Sequence, residues 1–189
     1  MLVKKGTKVA INEHEIRVLE INTESILKKL EKLGATKIFD SIQKRLVYDF
    51  NPINPNKWIR LRNNGKKTTL AVKEILDNSK VAGTRESEVE VSDFNEMKNI
   101  LQELGYTPRN YQENKRIQYM LNNTEICIDS WPLIPTYMEI EGENENDIYD
   151  SLKKLGLENG KVTTLDVSSI YKNIYNIDWK KIKELKFSE

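Results

Sequence analysis

The feature that most constrains the fold of this 189-residue chain is an internal repeat with an offset of 71 residues. The segment INTESILKKLEKLGA near residues 21–35 resembles VSDFNEMKNILQELGY near residues 91–106. In both segments apolar residues recur at the spacing of one buried helical stripe, and the glycine that follows can end a helix in the left-handed conformation. The matched apolar positions are Ile26, Leu30 and Leu33 with Met97, Leu101 and Leu104. The repeat therefore predicts two equivalent helices in two similar halves.

The same offset extends to strand-like segments on both sides of these helices. It matches Lys44, Arg45 and Tyr48 with Lys115, Arg116 and Tyr119. Each half reads as strand, helix, strand and then two strands separated by a turn, which is NNGKK in the first half and PLIP in the second. The sequence thus predicts eight strands in a single domain over residues 1–189, with halves at about 11–80 and 84–142. Two further helices are predicted at about 145–155 and 166–185.

Composition narrows the classes of function. The 30 Lys and Arg residues nearly cancel the 29 Asp and Glu residues, and the formal net charge of +1 gives no global field toward nucleic acid or a membrane. The single cysteine, Cys127, excludes an internal disulfide, and the single histidine, His14, argues against a His cluster or a Ser-His-Asp triad. No apolar run has the length of a membrane span, and the start MLVKKGTKVAINEHE lacks a signal-peptide pattern. A cytoplasmic location is the resulting expectation.

Charged residues alternate with apolar ones in several predicted strands. In EHEIR, the side chains of Glu13, Glu15 and Arg17 share one face, because a strand has a side-chain period of two. Other strands repeat the pattern with Arg60 and Arg62, with Glu86, Glu88 and Glu90, with Glu139 and Glu141, and with Lys73 and Asp129 as single members. The charged face therefore consists of separate acidic and basic clusters.

Two folds account for this alternation. An open eight-stranded sheet could keep its charged face in water and its apolar face on helices. A closed barrel could instead enclose the charged face as a lumen, with helices on its apolar exterior. Such a lumen favours an occupant that relieves crowded charge, with divalent cations on the carboxylates and a polyphosphate on the Arg and Lys groups. The alternation alone leaves both folds open.

The charged strands resemble the CYTH group of the triphosphate tunnel metalloenzymes, whose signature is an N-terminal ExExK strand. EHEIR matches this signature except that Arg17 replaces the lysine. The resemblance continues in order through WIRLR, LAVK, ESEVEV, NKRIQY, IDSW and MEIEG, over roughly residues 11 to 175. It implies an α+β fold, namely a closed eight-stranded antiparallel β-barrel, or tunnel, with a charged lumen, helices packed outside and two similar halves.

The resemblance also implies a division of roles, with Mg²⁺ or Mn²⁺ as the cofactor. The expected metal ligands are Glu13, Glu15, Glu139 and Glu141, whose hard oxygens suit such ions. The expected phosphate-binding residues are Arg17, Arg60, Arg62, Lys73, Lys115 and Arg116. The catalytic candidates are Glu15, Glu88 and Glu141. Glu86 and Asp129, together with Glu88, are expected to support the site by holding a second metal, positioning its water or orienting the cations.

The leading hypothesis is a metal-dependent triphosphatase that hydrolyses a terminal phosphoanhydride of inorganic triphosphate or a nucleoside triphosphate. A class IV-type adenylyl cyclase making cyclic AMP from ATP is the alternative enzyme, although KKGTKVAIN lacks the His-Phe pair that precedes the ExExK strand in such cyclases. A non-catalytic polyphosphate or nucleotide-binding module is a third alternative, against which the two ExE pairs argue.

Arg17 affects the expected mechanism. Arginine stays protonated, so Arg17 is expected to clamp phosphate, and proton transfer falls to a carboxylate such as Glu141 or Glu88. The expected partner is a triphosphate-containing small molecule, and neither a membrane nor nucleic acid is expected to bind.

Overall fold

The structure, a computed structural model, describes residues 11–188. The long strands are β1 (Ile11–Leu19), β2 (Thr36–Asp49), β3 (Lys57–Asn63), β4 (Thr68–Ile75), β5 (Thr84–Val91), β6 (Pro108–Leu121), β7 (Thr124–Ser130) and β8 (Tyr137–Gly142). The helices are α1 (Thr23–Lys32), α2 (Phe94–Glu103), α3 (Glu145–Lys154) and the short α4 (Val167–Ser169), and two short strands are β9 (Lys161–Thr163) and β10 (Glu184–Leu185). The expectations about a signal peptide and a His-Phe pair concern the start of the chain, which lies outside the described residues.

The eight long strands close into an antiparallel barrel. Around the ring the order is β6, β2, β3, β4, β5, β1, β8 and β7, and β7 pairs again with β6. β9 joins β1, and β10 lies parallel to β6 beside this ring. Closure leaves no free edge among the eight strands and separates an inner face from an outer face. The predicted barrel is confirmed, and the open sheet is excluded.

The two halves meet through equivalent strands. β2 pairs with β6 from Thr36 opposite Met120 to Tyr48 opposite Pro108. β1 and β5, the first strands of the two halves, also pair with each other, so β1 lies between β5 and β8 of the second half. Each of these two pairs, β2 with β6 and β1 with β5, joins strands at equivalent positions of the two halves.

The repeated helices begin and end as predicted. The Asn22 side chain caps α1 by accepting a hydrogen bond from the Ser25 amide at 2.9 Å, and Asp93 caps α2 in the same way at 2.8 Å. After each helix a glycine adopts the left-handed conformation, with φ +72° at Gly34 and +86° at Gly105. Contrary to the predicted stripe, Leu33 and Leu104 are exposed; each is the residue that directly follows its helix.

Helices cover the apolar outer face of the barrel. One core cluster joins α1 and α3 to β1, β7 and β8 through Ile26, Leu30, Ile148, Ile16, Ile126 and Ile140. A second joins α2 to β2 and β3 through Leu101, Leu46, Ile59 and Leu61. The apolar side chains on the outer face of the strands are buried against the helices, so the side chains on the opposite face point into the lumen. Between residues 11 and 188, no helix has the length and apolarity needed to cross a membrane.

The predicted helix at about 145–155 is present as α3, but the one at about 166–185 is wrong. That segment forms α4, a π-helical turn at Ile170–Ile174, a 3₁₀ turn at Trp179–Lys181 and β10. The helical course ends near Asn176, which has φ +55°, a conformation that Asn tolerates. The aromatic rings of Tyr171 and Trp179 then pack against Trp131, so tertiary packing determines this path.

Candidate functional site

The barrel encloses a charged cavity with a volume of about 1740 Å³. Its lining includes almost every residue that the sequence placed at the site: Glu13, Glu15, Arg17, Arg60, Arg62, Lys73, Glu86, Glu88, Arg116, Glu139 and Glu141. Asp129 is fully buried and forms an ion pair with Arg116. The inward face of the barrel thus brings both signs of charge into one space.

Lys115 is the exception among the predicted site residues. Its side chain is 51% exposed and lies 3.7 Å from Asp40 on the outer face. Arg116, the next residue, points into the lumen, where it contacts Asp129 at 2.5 Å and Glu139 at 3.1 Å. Adjacent strand residues point to opposite faces, so the two cannot both line the cavity. The assignment of Lys115 to phosphate binding was therefore wrong.

Arg116→Gln is expected to lower the free energy of unfolding by roughly 3–5 kcal/mol, because it leaves buried Asp129 without its ion pair. Lys115→Gln is expected to change that free energy by less than about 0.5 kcal/mol, as is usual for an exposed side chain. Denaturant unfolding of both variants measures the difference. Equal effects would contradict the placement of these two side chains on opposite faces of β6.

Carboxylates from β5 hold the arginines of β3 in place. The guanidinium of Arg60 contacts Glu86 at 2.6 Å and Glu88 at 3.0 Å. The same Glu88 oxygen accepts hydrogen bonds from Arg62 at 3.0 Å and from the Thr69 hydroxyl at 3.1 Å. These contacts fix the two guanidinium groups on the cavity wall, and they correspond to the predicted role of orienting the cations.

Lys73 connects two carboxylates across β4, β5 and β1. Its Nζ lies 2.7 Å from Glu86 and 2.9 Å from Glu13. Burial raises the pKa of Glu13 to about 9, even though Lys73 opposes this shift. Burial alone would raise the pKa of Glu86, but the nearby cations Arg60 and Lys73 outweigh burial and lower this pKa. Burial therefore favours the protonated form of Glu13, whereas Arg60 and Lys73 favour the ionised form of Glu86.

Arg17 lies between two of the predicted metal ligands. Its Nη2 is 2.9 Å from Glu15 and 2.8 Å from Glu139, and its Nη1 donates to the Leu165 carbonyl at 3.0 Å. Burial alone would lower the pKa of Arg17, but the carboxylates of Glu15 and Glu139 outweigh burial and raise this pKa. Arg17 therefore stays charged and cannot accept a proton.

Three carboxylates lie side by side across neighbouring strands. Glu141 in β8 is directly opposite Glu15 in β1 on one side and Glu125 in β7 on the other. Like charges in directly opposite positions destabilise a sheet. Burial, together with the neighbouring carboxylates, raises the pKa of Glu141 to about 7. Glu139 is neutralised by arginines, whereas Glu141 has no cationic partner in the described part of the chain.

The donor chemistry of this acidic row fits a hard divalent cation. Carboxylate oxygens are the ligands that Mg²⁺ and Mn²⁺ prefer, and a cation relieves the repulsion at Glu141. Among residues 11–188, no three acidic, histidine or cysteine side chains are grouped so that they could hold a metal ion. Of the four predicted ligands, Glu13, Glu15 and Glu139 each pair with a cation, and of these three Glu15 is the one directly opposite Glu141 in the acidic row. The residues that would hold the ion are therefore Glu15 and Glu141, with Glu125 as an addition.

The sequence reasoning missed two lumen residues, Glu125 and Arg45. Both line the cavity. Alternation in TEICIDS places Glu125 on the face of Asp129, and the offset of 71 residues matches Arg45 with Arg116. Each therefore had a signal, which the search for family motifs did not use.

A closed antiparallel barrel whose lumen is lined by arginines and carboxylates is a charged tunnel. The model of the CYTH domain matches residues 12–171, and this chain belongs to that family. CYTH proteins bind triphosphate substrates, generally with a divalent metal ion, and they are triphosphatases or cyclase-like enzymes. This membership connects the chain to triphosphate chemistry.

Solved structures share the fold over most of the chain. The PH1012 protein from Pyrococcus horikoshii OT3 is 25% identical, with a TM-score of 0.69 over 80% of this chain and 94% of that one. A conserved hypothetical protein from Pyrococcus furiosus is 24% identical, with a TM-score of 0.70 over 82% and 97%. HpAC1 from Hippeastrum, an adenylyl cyclase candidate described as having a dominant triphosphatase activity, is 14% identical, with a TM-score of 0.56 over 89% and 97%. Among curated proteins, none matches this chain.

Proposed function

We propose that this protein is a metal-dependent triphosphatase that hydrolyses the terminal phosphoanhydride of inorganic triphosphate or a nucleoside triphosphate in the tunnel. The observation that carries the proposal is a single cavity lined by a row of arginines and by carboxylates that lack cationic partners. Guanidinium groups match phosphate oxygens in geometry and charge. A module that only binds phosphate has no use for a partly buried carboxylate without a cationic partner, such as Glu141, which argues for catalysis. The activity described for HpAC1 is consistent with this proposal.

The residues of the lumen divide into groups with different tasks. When bound, a divalent metal ion supplies Lewis acidity toward the phosphate oxygens. Arg60, Arg62 and Arg116 bind the phosphate chain and stabilise the negative charge that develops on transfer. Glu86 and Asp129 keep these arginines in position through the ion pairs described above.

Among the predicted catalytic carboxylates, Glu141 is the one we assign to accept the proton of the attacking water. Glu15 is engaged by Arg17, and Glu88 accepts three hydrogen bonds from Arg60, Arg62 and Thr69. Glu88 is thereby suited to positioning cations. Glu141 has two carboxylate oxygens, so holding the ion through one of them would leave the other to accept a proton.

The test is phosphate release from inorganic triphosphate, ATP and thiamine triphosphate with Mg²⁺ or Mn²⁺, measured beside cyclic AMP formation. We expect metal-dependent phosphate release that EDTA abolishes, with little cyclic AMP. Cyclic AMP as the main product would replace the proposal with the cyclase alternative. Tight binding of triphosphate without any turnover would indicate the non-catalytic module.

Arg17→Lys is expected to lower the Mn²⁺ concentration needed for half-maximal activity by roughly three- to tenfold, because an ammonium holds two carboxylates less well than a guanidinium fork does. Weaker competition by residue 17 would leave Glu15 freer to bind the ion. Mn²⁺ titrations of activity, together with Mn²⁺ binding followed by electron paramagnetic resonance, measure the change. An unchanged or higher Mn²⁺ requirement would show that Arg17 does not compete with the metal.

A further inference from the structure

Arg45 is a buried guanidinium to which the described residues offer no carboxylate partner. It lies in β2 directly opposite Arg62, is 8% exposed and lines the cavity. Its Nη2 donates to the side-chain carbonyl of Gln43 at 2.9 Å and to that of Asn114. Both partners are neutral amides. Every other arginine that lines the cavity in the described structure pairs with at least one carboxylate: Arg17, Arg60, Arg62, Arg109 and Arg116.

The surroundings of Arg45 destabilise its positively charged form. Burial is the largest influence that lowers its pKa, followed by the neighbouring cations Arg60, Arg62 and Arg116. The carboxylate of Asp129 offsets this only in part. Asp129 already receives two hydrogen bonds from Arg116, at 2.8 and 2.5 Å, and one from Asn114 at 2.9 Å. A buried charge without a counter-charge reduces folding stability, so this arrangement favours a bound anion.

The geometry of Arg45 leaves donor groups for such an anion. The guanidinium carbon lies 4.6 Å from the centroid of the Trp131 ring, which covers one face of the group. Trp131 is fixed in turn by edge contacts with Tyr171 and Trp179, at centroid distances of 6.4 and 6.0 Å. Stacking holds the guanidinium plane and keeps its edges for oxygen ligands. The Arg45 Nε–H has no hydrogen-bond partner in the described structure.

We propose that Arg45 is a further substrate-binding residue, which contacts a phosphate group of a condensed phosphate bound in the tunnel. The negative charge of that phosphate would neutralise Arg45, for which the described residues offer no carboxylate partner. This inference rests on the proposed function and extends the basic wall of the tunnel from Arg60 and Arg62 on β3 onto β2. The ligand class is a chain of condensed phosphates, because a ligand that contacts Arg45 as well as the proposed phosphate-binding residues Arg60, Arg62 and Arg116 needs several phosphate groups.

The test is calorimetric binding of inorganic tripolyphosphate in EDTA, so that the cations alone are measured. Arg45→Gln removes the charge and keeps a polar group between Gln43 and Asn114, whereas Arg45→Lys keeps the charge. Lys44→Gln is the control, because Lys44 is the exposed neighbour on the outer face of the same strand. We expect Arg45→Gln to weaken binding by about 10- to 100-fold, the loss typical of a charge-assisted hydrogen bond. Arg45→Lys should lose less, and Lys44→Gln should bind like the wild type.

Thermal unfolding separates this role from a structural one. Without ligand, Arg45→Gln should melt at or above the wild-type temperature, because an uncompensated charge is removed, and tripolyphosphate should raise its melting temperature less than that of the wild type. A variant that unfolds at lower temperature, or fails to fold, would overturn the inference, as would undiminished tripolyphosphate affinity. Absence of tripolyphosphate binding by the wild type in EDTA, together with absence of phosphate release with Mg²⁺ or Mn²⁺, would instead refute the proposed function itself.

Discussion

Arg60→Ala is expected to reduce kcat/KM for inorganic triphosphate by about 10³-fold or more, the scale of losing an arginine that stabilises the transferred phosphoryl group. Arg60 contacts Glu86 at 2.6 Å and Glu88 at 3.0 Å while lining the cavity. Its removal takes one positive charge from the substrate and leaves two carboxylates with fewer partners beside the phosphate chain. The local field then opposes the binding of a polyanion, so both KM and kcat should suffer.

Kinetics of phosphate release, with Arg85→Ala as the matched control, measure this prediction. Arg85 also pairs with a strand carboxylate, Glu74, but lies on the outer face of β5 and is 45% exposed. Lys73 still neutralises Glu86 in the Arg60 variant, at 2.7 Å, so part of the ion-pair network persists. Circular dichroism at the assay temperature confirms that the variant is folded. If Arg60→Ala and Arg85→Ala retained similar activity, the basic wall would not be the phosphate site.

The secondary structure of the barrel could be predicted from the sequence, but its closure could not be predicted from the alternation alone. Alternation assigns each side chain to a face of its strand, and the repeat identifies equivalent strands in the two halves. Neither pattern indicates whether the edge strands of the sheet pair with each other and close it. Closure depends on long-range pairs such as that of β2 with β6, which no local pattern specifies. The resemblance to the CYTH group supplied that information. The segment at 166–185 was mispredicted because aromatic packing on Trp131 overrides its helical spacing.

The candidate site was predictable where the period of two was applied strictly. Alternation along the strands predicts which side chains share a face, and the structure places three of these in the lumen: Glu15, Arg60 and Glu141. Lys115 was misplaced because the motif was read as a basic pair, although adjacent strand residues cannot share a face. The ion pairs could not be predicted, since the position of Arg17 opposite Glu139 depends on the register between β1 and β8. Cross-strand register is a property of the folded barrel and not of any one strand.

Glu15→Gln is expected to lower metal-dependent turnover by about 10²- to 10³-fold, because it removes one ligand and one negative charge from the acidic row. The substitution preserves the size of the side chain. Glu15 lies directly opposite Glu141, so replacing it also reduces the repulsion between these two groups. Arg17 keeps its second partner, Glu139, at 2.8 Å. The metal-free variant should therefore unfold at nearly the wild-type temperature, and its defect should lie in metal binding.

Two measurements on Glu15→Gln separate metal binding from phosphate binding. Mn²⁺ binding by calorimetry should weaken strongly, whereas tripolyphosphate binding in EDTA should be unchanged or tighter, because a negative charge has left the lumen. Glu74→Gln is the control, since Glu74 is a strand carboxylate that pairs with an arginine on the outer face. Normal Mn²⁺ binding together with full turnover would remove Glu15 from the metal site. Normal Mn²⁺ binding with lost turnover would instead assign Glu15 to the chemical step, so the two measurements separate the two roles predicted for this carboxylate.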